Sequence, residues 1–270
     1  MRTLLQWHER HGRSDLPWRR RRSPYRTLVS EFMAQQTQVE RVVPAFERFV
    51  RRFPSLHALA RAPAGDVLRA WKGLGYNARA VRLSATARAI VERHGGRVPK
   101  ATSALRELPG VGAYTAAAIR TFAYGLGDLP IDVNVGRVLH RLGRTKSAFS
   151  AGGYAIASAL MDLGAAVCTA RNPRCDECPL QEWCARRPLP RRRAPQKKRV
   201  PFERTARYAR GRIVDRLREL QPGESIALRR LRADLAGVLP DASLRTLRAL
   251  VHALAREGLV RAQGESVALP

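Results

Sequence analysis

Two acidic side chains sit where a carboxyl group can do proton chemistry. Glu31 lies in Ser30-Glu31-Phe32-Met33-Ala34-Gln35-Gln36-Thr37-Gln38, directly after Leu28 and Val29. A carboxyl group among apolar neighbours resists ionisation, so its pKa rises toward neutrality, which is what a general acid needs. Asp132 opens Asp132-Val133-Asn134-Val135, ahead of an apolar helical pattern. An Asp in that place caps a helix. In a cleft, the same carboxylate beside helix N–H groups is the anionic partner of the first acid. Gln35 and Gln36 bring paired amides into an otherwise apolar helix, where they can hydrogen-bond base edges.

Two further motifs offer binding chemistry. Leu108-Pro109-Gly110-Val111-Gly112-Ala113-Tyr114-Thr115 places a sharp turn before an apolar helix. Gly110 and Gly112 can take positive φ without steric cost. The turn then presents backbone N–H groups at a helix N-terminus, a natural phosphate seat. The four cysteines, Cys168, Cys175, Cys178 and Cys184, are spaced C-x6-C-x2-C-x5-C. Clustered thiolates ligate soft metals, so zinc and an iron–sulfur cluster are the candidates. Zinc ribbons usually pair two C-x2-C knuckles, and here there is one.

These groups must be held by helices. Apolar residues recur at helical spacing over 28–32, 39–50, 67–71 and 113–122, and nothing alternates with period two before residue 225. A segment at 186–199 carries three prolines and eight basic residues, which predicts an extended linker. Beyond it, Ile213, Val214 and Leu217 form one helical face. Leu228, Leu231 and Leu235 form a second, and Leu244, Leu247, Leu250, Val251 and Leu254 a third. Two short apolar runs then flank Gln263-Gly264-Glu265, a hairpin signal. Three helices and a hairpin resemble a winged helix.

Charge narrows the partner. The 270 residues hold 50 Lys+Arg against 22 Asp+Glu, a net charge of +28. Such an excess is relieved by a polyanion, and nucleic acid is the obvious one. No apolar run reaches the ~18–20 residues that a membrane span needs, and the N-terminus lacks an apolar signal core. A soluble protein is expected, cytoplasmic and nucleoid-associated in a bacterium.

Residues 1–187 resemble the MutY-like adenine DNA glycosylases of the endonuclease III superfamily. The likeness rests on Leu16-Pro17-Trp18-Arg19, Pro24-Tyr25, Glu31 with Gln35-Gln36-Thr37-Gln38, and Gly73-Leu74-Gly75-Tyr76. It continues through the hairpin at 108–119, Asp132 with Asn134-Val135, Met161-Asp162-Leu163-Gly164 and the cysteine loop, all in the family's order. The resemblance implies an all-α, helix-hairpin-helix glycosylase fold with an iron–sulfur loop, followed by a small winged-helix-like domain. The expected boundaries are a glycosylase domain at 1–187, with a [4Fe-4S] loop at 168–184, a basic linker at 188–203 and the winged-helix-like domain at 204–270.

The resemblance also implies roles. Glu31 protonates the departing base, Asp132 stabilises the positive sugar or forms a transient bond to it, and Asn134 and Tyr114 complete the catalytic set. Arg19, Gln35, Gln36, Tyr76, Leu108, Gly110, Gly112 and Thr115 contact DNA, with Gln36 and Tyr76 wedged into the helix beside the opposite base. Cys168, Cys175, Cys178 and Cys184 hold a [4Fe-4S] cluster. The partner is double-stranded DNA with a mismatched or damaged pair, bound by a monomer. Lyase relatives carry a lysine where this chain has Tyr114, which cannot form an imine, so base removal without strand cutting is expected. The implied substrate is adenine facing guanine or 8-oxoguanine. Val133 in place of glycine, Ser158 in the base pocket, a short stretch from Val135 to Met161 and the lack of a Nudix-like C-terminal domain depart from the family. They keep open thymine or uracil facing guanine. A non-catalytic iron–sulfur regulator is the remaining alternative.

Overall fold

The computed structural model describes residues 1–149, 152–185, 200–239 and 243–270. The expected linker lies outside the described residues as far as position 199. The described residues form fourteen α-helices and one small sheet. They divide into two compact units, one of Met1–Glu31 with Val98–Gln196 and one of Phe32–Arg97 with Lys197–Pro270.

The first unit contains α1 (Arg2–His11), α2 (Pro17–Arg20), α8 (Thr102–Arg106), α9 (Ala113–Tyr124), α10 (Val133–Leu142), α11 (Gly153–Ala166) and the start of α3 (Pro24–Ala34). Its core joins Leu4 of α1 to Val135, Val138 and Leu139 of α10 and to Ile156, Leu160 and Leu163 of α11, all buried. The spacing Val135, Val138, Leu139, Leu142 is the i, i+3, i+4, i+7 stripe of a helix with one buried face.

One buried carboxylate ties the N-terminal helices to α11. Asp162 is 1% exposed. It accepts hydrogen bonds from His8 Nε2 (3.1 Å), Arg13 N (3.0 Å) and Arg13 Nε (2.8 Å). Both terminal nitrogens of Arg19 also reach it, at 2.6 and 3.1 Å. Burial by itself would raise the Asp162 pKa. The hydrogen bonds from His8 and Arg19 and the charges of Arg19 and Arg13 outweigh it and hold the group well below the usual carboxylate range.

The second unit contains α4 (Val39–Arg52), α5 (Leu56–Arg61), α6 (Ala64–Ala70) and α7 (Ala78–His94), packed around Phe46, Phe49, Leu59, Trp71, Leu83 and Ile90. The C-terminal segment belongs to this unit. Its order is α12 (Ala206–Arg218), β1 (Ile226–Ala227), α13 (Leu228–Asp234), α14 (Leu244–Arg256), β2 (Arg261–Gln263) and β3 (Ser266–Ala268). The antiparallel sheet runs β1-β3-β2, with Ile226 and Ala262 both opposite Val267. Thr205 caps α12 and Ser243 caps α14, each accepting from a backbone N–H three residues on. Gly264 has φ 56° at the first of the two loop positions between β2 and β3, where such a hairpin requires glycine. The three helices and the terminal hairpin stand where the three apolar faces and the hairpin signal predict them. The segment is fastened to α6 and its flanks by backbone Gly65 N to Pro270 O (2.8 Å), Arg69 Nη2 to Leu220 O (3.0 Å) and Arg218 Nε to Leu68 O (2.9 Å).

Asp162→Asn leaves the partly buried Arg19 and the more exposed Arg13 without their anion and should destabilise the protein by about 2–3 kcal/mol at pH 7. The folded pKa of Asp162 is depressed, so its contribution is present above the unfolded value near 4 and lost as pH falls below it. Urea unfolding should therefore show the gap between wild type and variant closing below pH 4. A gap independent of pH would refute this role.

Candidate active site

Three groups of the first unit converge. Glu31 sits on α3 in a run whose neighbours Leu28, Val29, Phe32 and Met33 are completely buried. The residue keeps a partial opening to solvent, while its carboxyl group is enclosed by protein atoms. Burial is the largest influence on it and pushes its pKa up from 4.5 to about 7. The Tyr114 hydroxyl donates a hydrogen bond that opposes the rise, the Asp132 charge adds to it, and Arg19 opposes it. Tyr114 stands in the first turn of α9, and burial followed by the charges of Glu31 and Asp132 keeps its phenol far above the ordinary range.

Asp132 is the N-cap of α10. Its Oδ1 accepts from Asn134 N (3.0 Å) and Val135 N (2.7 Å), and its Oδ2 from Asn134 Nδ2 (2.9 Å). Capping and proximity to Glu31 therefore coexist in one side chain. Val133, in the first helical position, is 81% exposed. Asn134 is held in turn by Arg137, whose Nη2 donates to Asn134 Oδ1 (2.8 Å) and Gly164 O (2.6 Å), and whose Nε donates to Cys168 O (2.7 Å). Gly164 is required here. A Cβ on it would come within 2.9 Å of Asn134 Cβ and 3.0 Å of its carbonyl oxygen. Ser158, also on α11, is completely buried, and its Oγ has no hydrogen-bond partner among the described residues.

The cysteine loop hangs on the same helix. Arg141 Nη1 donates to Cys168 Sγ (3.2 Å), Cys168 O (3.3 Å) and Thr169 O (2.8 Å). Cys168, Cys175, Cys178 and Cys184 line a single cavity. Burial, and then the neighbouring Cys168, Cys184 and Cys175, push the Cys178 thiol up, so four thiolates gathered here need a cationic centre. A four-iron cluster suits thiols spread around a cavity, since each iron takes its own thiolate.

The hairpin is built as the sequence suggests, with one difference. Gly110 has φ 79°, whereas Gly112 is the N-cap of α9 with φ −86° and needs no left-handed conformation. No side chain caps α9, which leaves its first-turn N–H groups to the exposed surface of the turn. Leu108 (3% exposed) and Thr115 (4%) turn inward, so at those positions a ligand can meet only backbone. Arg19 spends its guanidinium on Asp162.

The expected residues of the second unit gather in one groove, lined by Gln35, Gln36 and Tyr76. Among the described residues, Gln36 (φ 54°) and Tyr76 (φ 44°) are the only non-glycine residues with positive φ. Such strain persists only where the surroundings enforce it. The enforcing group is Arg79, which is buried. Its Nη1 donates to Phe32 O (2.9 Å), Met33 O (2.7 Å) and Gln35 O (2.5 Å), bracing the Gln36 turn. Its Nη2 donates to Leu74 O (3.2 Å), Gly75 O (3.1 Å) and Thr37 Oγ1 (2.9 Å), and its Nε to Tyr76 O (3.4 Å), bracing the other turn. Sequence reasoning missed Arg79, Arg137 and Arg141. The available signal was an arginine three residues after Tyr76 and two on the polar side of α10.

Residues 29–152 match the family described as HhH-GPD superfamily base excision DNA repair protein. Residues 168–184 match the iron–sulfur binding domain of endonuclease III, which assigns the four cysteines to a [4Fe-4S] cluster. The adenine DNA glycosylase of Mycobacterium tuberculosis is 42% identical over 238 residues, covering 80% of this chain and 77% of that protein. The human adenine DNA glycosylase is 39% identical over 212 residues, covering 68% of this chain and 39% of that one. The solved structure of a thermostable thymine-DNA glycosylase superposes with a TM-score of 0.62 at 29% identity, over 68% of this chain and 93% of that one. The fold is that of the helix-hairpin-helix glycosylase superfamily. Within it, the chain belongs to the adenine DNA glycosylase family.

Glu31 also sets a stability cost. Its folded pKa is raised, so the favourable neutral state is complete below about 4.5 and lost as pH rises through about 7. Glu31→Gln stays neutral throughout. The variant should be more stable than wild type at pH 8, on the order of 2–3 kcal/mol in urea unfolding, with most of the gain gone at pH 5. Equal stability of the two proteins at pH 8 would contradict an enclosed carboxyl.

Proposed function

We propose that the protein is a monofunctional DNA glycosylase of base excision repair that removes adenine mispaired with guanine or 8-oxoguanine. The observation that carries this reading is the Glu31 carboxyl, poised near pH 7 beside Tyr114 and Asp132. The names of the relatives support adenine over thymine, since the 42% identity to an adenine glycosylase spans more of the chain than the 29% identity to the thymine enzyme.

The target base is first extruded from the stack, because its glycosidic bond is out of reach inside a duplex. A mispaired base costs less to open. Phosphates of the same strand rest on the N–H groups at the 108–112 turn and the start of α9. Glu31, protonated, gives its proton to a ring nitrogen of the departing purine, and the N-glycosidic electron pair leaves with the base. The sugar is left with oxocarbenium character, and the Asp132 carboxylate, oriented by Asn134 and its two backbone N–H donors, faces that charge. Water then adds to the sugar carbon and gives up a proton to the Glu31 carboxylate, which restores the acid. The cluster on the four cysteines, when bound, acts as a structural brace for the loop that Arg137 and Arg141 link to α10. The segment at 204–270 is a winged-helix-like domain by this account. The protein works as a monomer in the bacterial cytoplasm, at the nucleoid.

Single-turnover excision on A·G, A·8-oxoguanine, T·G and U·G duplexes tests the assignment. Both adenine mispairs should react. Glu31→Gln and Asp132→Asn should each slow them by at least ~10²-fold while still binding DNA. Strand breaks should appear only after alkali, and borohydride should trap no covalent adduct, because Tyr114 has no amine. Rapid T·G or U·G excision with inert adenine mispairs would overturn the substrate, and a trapped adduct would overturn the monofunctional reading.

A further inference from the structure

The groove that holds Gln36 and Tyr76 has a second wall. It encloses about 820 Å³, toward the upper end of the roughly 300–1,000 Å³ usual for ligand pockets. That wall is α12 of the C-terminal segment, with Arg207, Arg210 and Arg212 and the aromatic Tyr208, preceded by Phe202. Opposite them, Arg41 and Arg82 line the groove from α4 and α7. Arg210 is neutralised by Glu257 at 2.6 Å and Arg218 by Asp215 at 2.6 Å. Among the described residues, Arg41, Arg82 and Arg207 have no carboxylate within ion-pair distance, and all three are exposed. The groove thus keeps surplus positive charge after its own acids are satisfied.

Arg207 does more than add charge. Its Nη1 donates to the Tyr76 hydroxyl at 3.1 Å, and its guanidinium carbon lies 5.2 Å from the centre of the Tyr76 ring. Arg79 lies 5.5 Å from the same ring. Tyr76, 44% exposed and held in a left-handed backbone, is therefore set by one buried arginine of its own turn and one surface arginine of α12. Phe202, exposed, packs edge-on against Tyr208 at 5.5 Å. A cationic groove with exposed aromatic faces suits an unstacked nucleotide, with its phosphate on guanidinium groups and its base on a ring.

With Gln36 and Tyr76 set beside the base across from the excised one, as the resemblance implies, we propose that Arg207 of α12, acting with Tyr76, is a specificity-determining residue for that base. The proposal rests on the glycosylase reading above. It gives the C-terminal segment a part in reading the mispair beyond bulk attraction to DNA.

The test compares wild type, Arg207→Ala, Arg207→Lys, Tyr76→Phe and the Ala/Phe double variant. The readouts are excision of adenine opposite guanine and opposite cytosine, and the salt dependence of duplex binding. Arg207→Ala should reduce the preference for guanine over cytosine about tenfold and lower the slope of log K against log salt by ~0.9. Arg207→Lys should restore the slope but not the preference, because an ammonium group cannot stack or bond in the same plane. The double variant should be no worse than Arg207→Ala, since the two side chains act as one unit. A wild-type preference and slope in Arg207→Ala, or losses that simply add in the double variant, would overturn the proposal. If wild type itself removes no adenine, the glycosylase reading fails. If wild type is active and Arg207→Ala matches it, the groove proposal alone fails.

Discussion

In the proposed reaction the Glu31 carboxyl must be shielded from water and still open to a substrate. Shielding is what raises its pKa to about 7, and the opening is what lets a proton leave it. The rest of the first unit serves this constraint. Four completely buried apolar residues surround the position in sequence, Tyr114 donates a hydrogen bond to the carboxyl, and Arg19 is diverted to Asp162. Had the Arg19 guanidinium paired directly with Glu31, the carboxylate would be favoured and the acid lost at neutral pH. The Asp162 cluster therefore bears on the Glu31 pKa as well as on the fold.

A second chain of contacts sets Asp132. Its cap fixes the start of α10, Asn134 bridges the cap to Arg137, and Arg137 and Arg141 reach the carbonyls and a sulfur of the cysteine loop. Disturbing the loop would reach the carboxylate through Arg137 and the Asn134 amide. In the second unit Arg79 plays the corresponding part. One buried guanidinium satisfies carbonyls from two turns and so stabilises Gln36 and Tyr76 in conformations that neither would choose alone.

Much of this was legible in the sequence. The period of apolar residues located α3, α4, α6 and α9, and Gln263-Gly264-Glu265 located the terminal hairpin, because helix and hairpin signals are local. The two carboxylates, the turn and the cysteines were legible because residue type and spacing restrict their chemistry. Arg79, Arg137 and Arg207 were not. Each acts on groups distant in sequence or on backbone carbonyls, and a chain with 50 basic residues offers no local reason to prefer one arginine over another. The inward turn of Leu108 and Thr115, and the ordinary backbone of Gly112, likewise depend on how α9 packs.

The central claim is that a neutral Glu31 is the working acid. The most direct test is the pH dependence of single-turnover adenine excision from an A·G duplex, with protein saturating at every pH. The account predicts a rate that is level at lower pH and falls about tenfold per unit above a midpoint near 7, as the carboxyl loses its proton. A rate that stays level from pH 6 to pH 9 would contradict it.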